Sequence, residues 1–217
     1  SNRDVVASAL NNRAKDFKVE LTDVSDQYCL IAVQGPNAVS IMQRLTETSL
    51  DQLKYYSIAG GRFADQDVFF ARTGYTGEDG FEISVPAAQA TALAQALLAQ
   101  PEVKPIGLGA RNSLRLEAGM CLYGQDLDPH TTPVEASLNW AIQKVRRTGG
   151  ARAGGFLGAE RVLAQIDQGA QRLRVGLVGL ERVPVREHTE LQNTQGQRIG
   201  EITSGLLSPS LNQPIAL

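Results

Sequence analysis

Val68-Phe-Phe-Ala-Arg72, Gly74-Tyr-Thr-Gly-Glu-Asp-Gly80 and Phe81-Glu-Ile-Ser-Val85 follow one another as two β-rich runs around a turn that contains three glycines. Runs rich in aromatic and β-branched residues and bounded by glycine are strand signals, and two of them around a glycine-rich connection make a hairpin with an elaborated loop. Upstream, Tyr28 to Val33 is a continuous apolar run of strand length between Asp26 and Gly35-Pro36. Asn37 then suits the N-cap of a helix carrying Val39, Ile41, Met42 and Leu45. Downstream, Pro86 suits the first position of an alanine-rich helix ending near Gln100, with an apolar face of Ala90, Leu93, Ala94, Leu97 and Leu98. Strands and helices that alternate in this way predict a layered α+β domain.

The flanking segments extend the pattern. A short helix is expected from Val5 to Lys15, and the alternation of Phe17-Lys-Val-Glu-Leu21 predicts a half-buried strand. Gly107 to Gly119 is a further helical stretch in which Arg111 and Arg115, four apart, share a face. Gly124 to Pro133 is turn-rich, and a helix is expected near Ala159 to Ile166. From Leu173 onward β-type runs take over: Arg174 to Leu180, Arg182 to Arg186, Glu190 to Gln192, a turn at Asn193 to Gly196, and Arg198 to Thr203. That tail predicts a β-barrel or sandwich module. A polar start running into a helix and a strand-like end at Pro214 to Leu217 read as a piece of a longer protein.

The 217 residues, 42% of them hydrophobic, suffice to build a core. With 21 basic against 23 acidic residues and no basic run interleaved with aromatics, the pattern argues against a nucleic-acid binder. No apolar stretch reaches the roughly 20 residues that span a bilayer, so no membrane association is expected. Cys29 and Cys121 lie among apolar residues and read as buried thiols in a reducing compartment; no metal-ligand spacing accompanies them.

Few residues could carry chemistry. His130 and His188 lie in polar, turn-rich segments without a partner nucleophile motif. The loop from Gly74 to Gly80 lacks the Gly-Lys-Ser/Thr ending of a phosphate loop, and Glu78 and Asp79 would repel a phosphate. Glu82 alternates with Phe81 and Ile83, so it faces either solvent or a pocket, where its two acceptor oxygens would suit paired N–H donors such as those of a pterin. Arg111 reads as a surface ion pair with Glu117 or as a planar donor to a ring carbonyl or a carboxylate. Trp140 reads as a core anchor or as a pocket wall.

These residues sit inside longer strings: Ile31-Ala-Val-Gln-Gly-Pro36, Thr73-Gly-Tyr-Thr-Gly-Glu-Asp-Gly-Phe-Glu-Ile-Ser84, Gly107-Leu-Gly-Ala-Arg-Asn-Ser-Leu-Arg-Leu-Glu-Ala-Gly119, Leu122-Tyr-Gly-Gln125, Ile202-Thr-Ser-Gly205 and Ser208-Pro-Ser210. In this order they resemble the aminomethyltransferase, or T-protein, family of the glycine cleavage system, and Thr131-Thr-Pro-Val-Glu135 is similar to the glycine-cleavage branch in particular. The resemblance implies a cloverleaf of two interleaved α+β, ferredoxin-like domains and a C-terminal β-barrel. Residues 1–25 and 116–170 would belong to the second α+β domain, 26–115 to the first, and 171–217 to the barrel.

The resemblance also implies the reaction. The methylene carbon of an aminomethyl group on the lipoyl arm of H-protein passes to tetrahydrofolate, a co-substrate, with release of ammonia and without a metal. Glu82 matches the family glutamate that holds the pterin, Arg111 the arginine that contacts folate, and Tyr75 and Trp140 aromatic positions near the folate site. The family's catalytic aspartate lies in a Gly-Gly-x-x-Asp-Asp stretch that would precede Ser1. No catalytic residue is therefore expected within these residues, and the chain alone is expected to be inactive. A monomer is expected, in the cytoplasm of a bacterium or the mitochondrial matrix of a eukaryote. Rival readings are the folate domain of a sarcosine or dimethylglycine dehydrogenase and a noncatalytic folate-binding protein of the same fold.

Overall fold

The computed structural model describes residues 2–217. The chain divides into two compact units, one of residues 1–74 and 78–105 and the other of residues 75–77 and 106–217.

In the first unit, helix α1 (Arg3–Ala14) precedes strand β1 (Tyr28–Gln34). Helix α2 (Ala38–Gln43), strands β2 (Ile58–Phe63), β3 (Gln66–Ala71) and β4 (Gly80–Pro86), and helix α3 (Ala90–Leu98) follow. The four strands form an antiparallel sheet in the order β1-β4-β3-β2. The hairpin expected from the glycine-rich loop is present, with Phe69 opposite Ser84, Phe70 opposite Ile83 and Ala71 opposite Glu82.

Side chains alternate across the sheet. Phe63, Val68, Phe70, Phe81, Ile83 and Val85 point to one face and are buried with Ala38 and Met42 of α2 and Leu93 and Leu97 of α3. The other face is open and largely apolar, with Tyr28, Leu30, Ile58 and Phe69 exposed. Cys29, expected to be buried, is exposed although it pairs with buried Val85 on the core side: it lies near the start of β1, an edge strand, where the layer of helices does not cover it.

Strand β2 and its turn have weak sequence signals. Gly60-Gly61 interrupts the run, yet a Cβ at Gly61 would stand 2.3 Å from the Thr48 hydroxyl and 3.1 Å from the Phe70 ring, so close packing requires glycine there. The β2–β3 connection is Ala64-Asp65, both at positive φ, in place of the usual Asn-Gly pair. Phe17 to Leu21 forms no strand and is exposed, because alternation specifies faces without supplying a neighbouring strand. Pro86 ends β4 and caps a short 3₁₀ turn at Ala87–Gln89 that leads into α3, one turn later than expected.

In the second unit, helix α4 (Leu108–Glu117) is followed by long irregular segments and by α5 (Ala159–Gln168). The tail holds β5 (Leu177–Val178), β6 (Glu190–Gln192), β7 (Arg198–Glu201), β8 (Gly205–Leu207) and β9 (Pro214–Ala216). Strands β5, β9 and β8 form one antiparallel sheet and β6 and β7 a hairpin. The hairpin turns where expected, with the Asn193 side chain accepting from the N–H groups of Gln195 at 3.0 Å and Gln197 at 2.9 Å. The run from Arg174 to Leu180 pairs only at Leu177 and Val178, where β9 supplies partners, and Arg182 to Arg186 forms no strand.

Phe70, fully buried, meets Phe63 edge-on with ring centroids 5.7 Å apart. Phe70→Ala is expected to cost about 3–5 kcal/mol of stability in denaturant unfolding, through lost transfer energy and the cavity left behind.

Candidate functional site

The loop from Gly74 to Gly80 is fastened at both ends. The Gln34 side-chain amide donates to the carbonyls of Thr73 at 3.1 Å and Phe81 at 3.2 Å. A Cβ at Gly80 would lie 2.5 Å from the Val33 carbonyl and 2.6 Å from that amide, so β1 approaches closely only because residue 80 is glycine. Arg72 closes the base of the loop by pairing with both Asp79 oxygens, at 3.1 and 2.6 Å, and by donating to the Leu53 carbonyl at 2.7 Å. Asp79 is thus neutralised by an internal partner, and the Arg72 hydrogen bonds hold its carboxyl below the usual carboxylate range.

The register of β4 fixes Glu82. Phe81 and Ile83 on either side are fully buried, so Glu82 projects onto the open face, half-buried between Ala32 of β1 and Ala71 of β3. Two alanine neighbours leave space above the carboxylate, which forms no hydrogen bond or ion pair among the described residues. A cleft of about 820 Å³ lies over the same face, lined by Val6 and Leu10 of α1 and by Tyr28, Phe69 and Ser84.

The second unit positions Arg111. Gly107, extended, caps α4, and the Arg111 guanidinium rests over the Tyr75 ring at 4.9 Å from its centroid. It forms no hydrogen bond or ion pair among the described residues. The expected surface pair with Glu117 is absent: Glu117 instead accepts from the Ser208 hydroxyl at 2.5 Å and from the Ser210 N–H at 3.1 Å and hydroxyl at 2.8 Å. These bonds, Ser208 foremost, hold its carboxyl below the usual range. The Tyr75 hydroxyl donates to the Cys121 carbonyl, and burial pushes both the Tyr75 phenol and the half-buried Cys121 thiol up.

Arg115, one turn after Arg111, is buried and pairs with buried Asp126 at 2.8 Å. Sequence reading saw that Arg111 and Arg115 share a helix face but not this pair, since Asp126 lies in a turn-rich segment without periodicity. Trp140 is 70% exposed in a 3₁₀ turn, so it is not a core anchor; a lone aromatic among polar and small residues has no apolar stripe to place it inside. His130 is exposed, and His188 pairs with Glu201 at 3.0 Å on the surface. Among the described residues, no cluster of three or more His, Cys, Asp or Glu side chains could hold a metal ion. No helix among them is long and apolar enough to cross a membrane.

The description "GCVT N-terminal domain" belongs to the family whose sequence model matches residues 1–146. The chain belongs to this family. Among relatives of this chain, the mitochondrial aminomethyltransferase of Solanum tuberosum is 48% identical over 226 residues, covering 99% of this chain and 53% of the relative. The mitochondrial aminomethyltransferase of Canis lupus familiaris is 47% identical over 209 residues, covering 96% of this chain and 50% of the relative. The crystal structure of the glycine cleavage system aminomethyltransferase T from Bartonella henselae superposes with a TM-score of 0.87 at 40% identity, covering 99% of this chain and 57% of that one. The chain is thus a mixed α+β protein of known fold that spans about half the length of the curated relatives it matches.

The Arg72–Asp79 clamp predicts a pH signature. A carboxylate whose pKa is depressed on folding contributes stability that is complete above its unfolded value and is lost as pH falls through the folded one. The difference in unfolding free energy between the wild type and Asp79→Asn should therefore be constant near neutrality and narrow below about pH 4. Urea unfolding across that range checks it; a gap that stays constant into acid would assign the Asp79 contribution to shape alone.

Proposed function

We propose that this chain forms the folate-binding part of an aminomethyltransferase of the glycine cleavage system, which transfers the methylene carbon of an aminomethyl-dihydrolipoyl H-protein to tetrahydrofolate and releases ammonia. The observation that carries the reading is the state of Arg111: a guanidinium stacked on Tyr75 with no hydrogen-bond partner among the described residues, in a chain whose relatives are named aminomethyltransferases. Arginine in a folded domain ordinarily spends its planar fork on carboxylates or carbonyls, and a stacked, unpaired one is prepared for an external acceptor. Folate offers such acceptors in its ring carbonyl and its glutamate carboxylates.

Glu82 suits the opposite polarity. Its carboxylate, half-buried between Ala32 and Ala71, presents two acceptor oxygens to the 2-amino and N3 donors of a pterin. Tyr75 and Trp140 are the aromatic residues assigned to the same ligand. No catalytic residue is assigned within the chain. The names of the relatives favour this reading over a flavin-linked demethylase domain or a noncatalytic folate binder.

The domain plan belongs to the same proposal. Residues 26–115 are assigned to the first and 1–25 with 116–170 to the second of two interleaved, ferredoxin-like α+β domains, and 171–217 to a β-barrel. The complete protein is taken to act as a monomer with lipoylated H-protein as its partner, in the bacterial cytoplasm or the mitochondrial matrix.

Calorimetric titration with tetrahydrofolate tests the site, in a protein of the relatives' full length that carries this chain. Glu82→Ala and Arg111→Ala should each lose roughly 1.5–3 kcal/mol of binding free energy, the range for removing a charged hydrogen-bond partner. Unchanged affinity in folded variants would remove both residues from the folate site.

A further inference from the structure

Without hydrogen bonds among the described residues, the Arg111 guanidinium takes its direction from the ring beneath it, and that ring is itself anchored through its hydroxyl. We propose that Tyr75 is a positioning residue for Arg111, held in place by the buried Arg115–Asp126 ion pair through the backbone of residues 120–122. The inference rests on the reading of Arg111 as a ligand-binding group.

The chain of contacts is continuous. The Tyr75 hydroxyl donates to the carbonyl of Cys121. On one side of Cys121, the Met120 carbonyl accepts from Nη1 of Arg115 at 3.2 Å; on the other, the Leu122 N–H donates to Oδ2 of Asp126 at 2.7 Å. The same Nη1 reaches Oδ2 of Asp126 at 2.8 Å. The ion pair thus grips the backbone on both sides of the carbonyl that receives the phenol.

The pair is saturated, as a rigid support requires. Arg115 also donates through Nε to Asn112 at 2.8 Å, and through Nη2 to Ser204 at 3.0 Å and Gln125 at 3.3 Å. Asp126 also accepts from the hydroxyls of Ser204 at 2.8 Å and Thr203 at 2.5 Å. A fully satisfied buried network has one low-energy arrangement, because any rotation leaves a desolvated charge or donor without its partner. Arg115 and Arg111 stand one turn apart on α4, so the pair sets both the rotation of the helix that carries Arg111 and the position of the ring on which Arg111 rests.

At the ligand site assigned to it, Tyr75 thereby acts through Arg111. Its phenolic hydrogen is committed to Cys121, and its face is committed to the guanidinium. Its contribution is to spare Arg111 the loss of rotamer freedom that a long side chain otherwise suffers on binding. Replacing Tyr75 by Phe keeps the face and removes only the anchor.

A double-mutant cycle on tetrahydrofolate affinity tests the assignment. Tyr75→Phe should weaken binding about five-fold when Arg111 is present and by less than about two-fold in the Arg111→Ala background, since residues that act through one another are not additive. Asp126→Asn should show the same dependence on Arg111. Equal losses in both backgrounds would overturn the proposal, since the hydroxyl would then act on the ligand directly or on the fold as a whole. If Asp126→Asn does not fold, Tyr75→Phe alone decides. Nitrogen-resolved NMR of the Arg111 Nε–H group gives a readout independent of folate. Its ring-shifted signal should move toward the free-arginine position in Tyr75→Phe, and an unmoved signal would refute positioning even if folate binds elsewhere.

Discussion

Strand β4 (Gly80–Pro86) is paired along one edge with β1 and along the other with β3, and its alternation binds the hydrophobic core to the candidate site. Phe81, Ile83 and Val85 are fully buried, while Glu82 between them stands on the opposite face. A slip of one residue would send Phe81 and Ile83 to solvent and drive the Glu82 carboxylate among aromatic rings. Each lost apolar side chain would forfeit about 1.5–3 kcal/mol, and burying an unpaired carboxylate would add several more. No nearby register competes. The position of Glu82 is therefore enforced by the buried residues on either side of it, and the Gln34 amide and the Arg72–Asp79 pair extend that constraint into the loop.

The second unit is organised by charge where the first is organised by apolar burial. Its buried cluster around α4 is small, comprising Leu116, Ile215 and Leu217 with Leu206 packed against them. Helix α4 is instead tied to the chain near residue 204 through Arg115 and Asp126, and to the chain near residue 209 through Glu117 and its two serines. A buried ion pair is weak as a source of net stability, because desolvation offsets most of the attraction, yet removing one partner costs about 3–5 kcal/mol. Such a pair specifies one arrangement more than it strengthens it. That suits a helix that carries a half-buried Arg111 stacked on Tyr75.

Segments whose local pattern coincided with their tertiary surroundings were legible in the sequence. The hairpin around Gly74 to Gly80, the helices at residues 38–43, 90–98, 108–117 and 159–168, and the turn at Asn193 to Gly196 all carry strong local signals. What failed depended on partners distant in sequence. Phe17 to Leu21 alternates but finds no strand to pair with, and β2 pairs despite Gly60-Gly61 because Thr48 and Phe70 need the space. Cys29 and Trp140 show the same limit for burial, which belongs to the surrounding layers and not to the residue. Within the candidate site, the face that Glu82 takes was legible through alternation. The Arg115–Asp126 pair was not, because its members are joined by geometry among turns. The strings at 202–205 and 208–210, noted only as resemblance, prove to hold hydroxyl partners of α4.

Glu82 and Arg111 share a property that separates them from most charged groups here. Arg72, Arg115, Asp126, Glu117 and Glu135 each have internal partners that account for their presence structurally. The side chains of Glu82 and Arg111 are only partly exposed and form no hydrogen bond or ion pair among the described residues, so each sacrifices some hydration, which for Arg111 is offset only by its stacking on Tyr75. A partly buried charge without an internal hydrogen-bond partner, held in a defined direction by the framework around it, is what supports the proposal that both residues serve a ligand.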